Sequence, residues 1–99
     1  MFILTPTGSI EGVGPDSRIV VEPTTTGKWC VALYRLTTWR VELISGVTAE
    51  LCCEVLLDIF RALGDGKSKL NLQSPLDSYR AISVEAQTLA AQLVAAQHE

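Results

Sequence analysis

Charge is scarce in this chain: 19% of its 99 residues are charged, against about 25% in an average soluble domain. The charges present are mixed along the chain, with a net value of −3 and no basic block. A chain without a basic stripe lacks the electrostatic footprint of a DNA or RNA binder. Histidine is nearly absent. The single one, His98, stands one residue from the end, where chains fray and a catalytic base or ligand is hard to hold. Long apolar runs are missing too. The longest apolar stretch, residues 51–63, is cut by Glu54, Asp58 and Arg61, which argues against a membrane span. The apolar start Phe2-Ile3-Leu4 stops at Thr5-Pro6, so no secretory signal is expected.

Cysteine is present in a number that builds nothing. Cys30, Cys52 and Cys53 are odd in count and two are adjacent. Helix neighbours point about 100° apart, so the adjacent pair cannot easily bridge. With no CxxC spacing, neither a disulfide framework nor a zinc site is expected. Free thiols fit a reducing cytoplasm. Gly66-Lys67-Ser68 copies the end of a phosphate-binding loop. The full motif needs glycine where Arg61 stands, and it should open a helix rather than close one. No cofactor is expected from any of these patterns.

One domain fits the length. Apolar residues make up 47% of the chain, more than an ordinary surface requires, which argues either for a well-filled core or for a permanent partner. The expected fold class is α+β: an antiparallel sheet of about four strands packed by one central helix, plus a C-terminal Ala-rich helix. Residues 1–72 are expected to form the sheet and helix, and 73–99 the C-terminal helical segment, within the single domain 1–99.

Short strands separated by turns account for the first third, at Phe2-Ile3-Leu4 and at residues 18–22, with Gly14-Pro15-Asp16 as a turn between them. Residues 28–45 carry the strongest sheet signal. Trp29, Val31 and Leu33 alternate onto one face, and Trp39, Val41 and Leu43 resume the pattern after Thr37-Thr38. A hairpin near Thr37-Thr38, with its odd-numbered face toward the core, is expected. Thr48 is a good helix N-cap and Gly64 a natural stop. Between them Glu50, Glu54, Asp58 and Arg61 fall at spacings of three or four, which reads as one solvated stripe. Three aligned carboxylates also suit acid–base work or a hard cation, but the arginine among them favours the solvated reading. The remaining apolar arc, Leu56 included, is wide enough for two neighbours.

After a short strand near residues 69–72, Ser74-Pro75 resembles a helix start, with Ser83 as a second candidate cap. Tyr79, Ile82, Ala86, Leu89, Leu93 and Ala96 then recur at alternating spacings of three and four, the pattern of a helix–helix seam. That seam packs either on a second subunit or inside its own chain.

The stretch from Trp29 to Leu72 resembles a group of short bacterial and prophage-type proteins in which strands and a hairpin lead into one helix. The shared features are Thr48, Glu50, Val55-Leu56, Ile59, Ala62 and Gly64 or Gly66. The resemblance implies a fold and transfers no active site.

Tyr34, Arg35, Trp39 and Arg40 cluster around the hairpin turn. These residue types dominate protein interfaces and also stack on single-stranded nucleic acid. The expected function is therefore a non-enzymatic interaction module, self-associating as a homodimer or binding a protein partner. Two alternatives stand beside it: a small accessory protein of nucleic-acid transactions using Tyr34, Arg35 and Arg40, and an enzyme subunit whose site forms only at an interface.

Overall fold

The structure, a computed structural model, describes residues 1–35, 39–72 and 82–97. The fold is α+β, with two helices and two sheets of three strands each. In chain order the elements are β1 (Phe2–Leu4), β2 (Ile10–Gly12), β3 (Ser17–Pro23), β4 (Trp29–Arg35), β5 (Trp39–Val47), α1 (Ala49–Gly64), β6 (Lys69–Asn71) and α2 (Val84–Gln97).

One sheet is the antiparallel meander β3-β4-β5. The other has the order β2-β1-β6, with β1 antiparallel to β2 and parallel to β6. The single antiparallel sheet of about four strands expected from the sequence is thus corrected to two sheets. The reason is the pairing of β1 with β6: the register Ile3↔Leu70 joins the two distant ends of the sheet-and-helix segment, and no local pattern announces it. The strand β2 has no counterpart in the expected layout, because three residues are too few to show alternation.

Alternation does place β4 correctly. Val31 and Leu33 are fully buried, facing α1 with Ile19 and Val21 of β3. On β5 the parity breaks. The register slips between Val31 and Ala32, so that Val31 pairs with Ile44 while Ala32 pairs with Glu42. Leu43 is left over, and both Leu43 and Ile44 are buried. A bulge inserts one residue and re-aims the strand beyond it.

Helix α1 starts as expected, with the Thr48 Oγ1 accepting from the Leu51 N–H at 3.2 Å. Its stop differs. Gly66, not Gly64, takes the left-handed conformation, at φ 70°. The Gly66 N–H donates to Leu63 O at 3.1 Å and the Lys67 N–H to Ala62 O at 3.0 Å, the paired bonds of a Schellman stop. The glycine of Gly66-Lys67-Ser68 therefore ends a helix and leads into β6.

Two neighbours cover α1. Cys52, Val55 and Ile59 enter the main core with Ile3, Val31, Leu33 and Leu72. Ala49 and Cys53 form a second, smaller core with Ala86 and Ala90 of α2. Helix α2 starts at Val84, the later of the two starts the sequence offered. Ser83 caps it, its Oγ accepting from the Ala86 N–H at 3.1 Å. The earlier candidate start and Tyr79 lie outside the described residues.

Among the described residues, no helix is long and apolar enough to cross a membrane.

Candidate functional site

Glu54 departs most from its expected setting. Read as part of a solvated stripe, it is 8% exposed. Its Oε2 accepts from the Ser83 N–H at 3.0 Å and from the Ser83 Oγ at 2.7 Å. The carboxylate thereby satisfies an amide at the start of α2 and adds negative charge at the positive end of that helix. Asp58 keeps to the solvated reading, paired with Arg61 at 3.0 Å. Among the described residues, no group of three or more His, Cys, Asp or Glu side chains converges to hold a metal ion.

The three thiols are unpaired and buried. Burial, with Cys30 and Cys53 nearby, pushes the Cys52 thiol up to about 12. Burial and then Glu50 push Cys53 up to about 11. Cys30 is raised by burial, with Glu42 adding to the effect. Thiols held protonated in this way are poor nucleophiles.

The four residues expected around the hairpin turn separate onto different surfaces. Tyr34 and Arg40 lie on the sheet face turned away from α1. The Tyr34 hydroxyl donates to the Glu22 carboxylate at 2.8 Å, and Arg40 Nε donates to the same carboxylate at 2.8 Å. Arg18 and Arg40 stand over the Tyr34 ring at 5.0 and 5.9 Å from its centre. Arg40 also meets Glu42 at 3.3 Å and donates to Cys30 Sγ at 3.4 Å. Arg40 is thus matched on this face by Glu22 and Glu42. Arg35 turns elsewhere: its guanidinium donates to Gly12 O at 2.8 Å and pairs with Glu11 at 3.3 Å, fastening the end of β4 to β2. Trp39, which parity assigns to the core side, is exposed at the end of β5 opposite Arg35.

The seam residues are also divided. Ala86 is fully buried inside the chain, against α1, with Leu89 and Leu93 packed alongside. Ile82 precedes the helix and touches the same small core. Ala96 is exposed.

Among the described residues, large apolar side chains are left open on a surface that the sequence did not single out. On the small sheet Ile3 points into the core, while Phe2 and Ile10 on the opposite face are 61% and 67% exposed. On α1, Phe60 is 73% and Leu63 44% exposed, and Leu56, expected in the main core, is only half-buried. A groove of about 470 Å³ runs between α1 and the chain from Val13 to Ile19, with Pro15, Leu56, Ile59 and Phe60 in its walls. A second depression shares Val13, Gly14, Pro15 and Ser17 with the first and extends to Phe2. Residues 13–17 thus stand between the groove beside α1 and the depression at Phe2. The signal for the open side chains of α1 lay in its sequence: Ala49, Cys53, Leu56, Phe60 and Leu63 follow the alternating four–three spacing of a helix seam. Helix α2 covers only the first two positions.

Comparison with protein-family models, with curated proteins and with solved structures finds no match for this chain.

Proposed function

We propose that this protein is a non-enzymatic interaction module that self-associates, and that the apolar surface from Phe2 and Ile10 to Phe60 and Leu63 is where copies meet. One observation carries the reading: four large apolar side chains, Phe2, Ile10, Phe60 and Leu63, stand 44–73% exposed. Isolated exposed apolar residues are ordinary, but contiguous patches rimmed by polar residues mark interaction sites. Two further features support it. Burial raises the three thiols and so disfavours the nucleophilic thiolate, and the arginines of the hairpin region are matched by Glu11, Glu22 and Glu42. Three buried free thiols suit a reducing compartment such as the cytoplasm.

The test is molar mass by light scattering over a range of concentrations. The wild type should approach twice the chain mass of 10.7 kDa, and Phe60→Asp/Leu63→Asp should return it to the monomer with an unchanged circular dichroism spectrum. A wild type that stays monomeric at millimolar concentration would overturn self-association.

A further inference from the structure

We draw no further inference here: the strongest candidate, the apolar groove between the second half of α1 and the chain from Val13 to Ile19, with Phe60 and Leu63 exposed beside it, carries none because nothing in the structure shows what covers it.

Discussion

Helix α1 is covered in two unlike ways. Toward the β3-β4-β5 sheet it buries Cys52, Val55 and Ile59 among Val31, Leu33, Leu43 and Ile44, so that face is held by volume. Toward α2 it buries Ala49 and Cys53 against Ala86 and Ala90. Small side chains let two helix backbones approach closely but bury little apolar area each. A carboxylate does part of the holding there, since Glu54 fastens Ser83 at the head of α2. The difference teaches that α2 is attached by small side chains at the centre, by partly buried Leu57, Ile82, Leu89 and Leu93 around them and by one polar contact, while the sheet is attached by large, fully buried side chains. Regions of low buried apolar area open first, so the two cores should separate in stability.

The largest effect should come from the sheet side. Leu33 is fully buried in the main core, and Leu33→Ala should cost about 2–5 kcal/mol in urea unfolding. Equal losses for Leu33→Ala and for substitutions under α2 would break the contrast. Next comes Glu54→Ala, which leaves the Ser83 amide without its partner and should cost about 1–3 kcal/mol. Hydrogen exchange should show that loss confined to α2 and the first turns of α1. Leu56→Ala should cost about 1 kcal/mol, because Leu56 is a half-buried groove wall rather than a core residue.

A further effect is expected in alkali, and its sign follows from the thiols. Burial raises Cys52 and Cys53 from the ordinary value of 9.0 to about 12 and about 11. Protons are held by these groups in the folded state after the unfolded chain has lost them. Their contribution to stability is thus full below about pH 9 and is lost as pH rises through 11 to 12. The fall in urea midpoint across that window should be shallower in Cys52→Ala than in the wild type.

Much of this layout was legible from local signals. Thr48 as cap, the alternation of Trp29, Val31 and Leu33, and the width of the α1 apolar arc all act within a few residues. What was not legible depends on partners distant in sequence. Charge spacing put Glu54 with Asp58 and Arg61 on a wet stripe, but the approach of Ser83, 29 residues away, buries it. Strict parity put Trp39 inside and Ile44 outside, and the bulge at Leu43 reverses that for Ile44. Gly64 looked like the helix stop, yet the stop bonds formed one turn position later, at Gly66. The apolar surface was hidden for a related reason. Leu56, Phe60 and Leu63 look like core in any helix pattern, but the small core under α2 stops at Ala49, Cys53 and Leu57 of α1.

The contrast between the two cores is tested most directly by native-state alkylation of the three cysteines, read by mass spectrometry in increasing urea. Cys53 lies under α2 and Cys52 faces the sheet core, and both are fully buried. The account predicts that Cys53 reacts first, through an undocking of α2 that costs less free energy than global unfolding, while Cys52 reacts only as the whole domain unfolds. Identical opening free energies for Cys52 and Cys53, both equal to that of global unfolding, would contradict it and make the molecule one cooperative core.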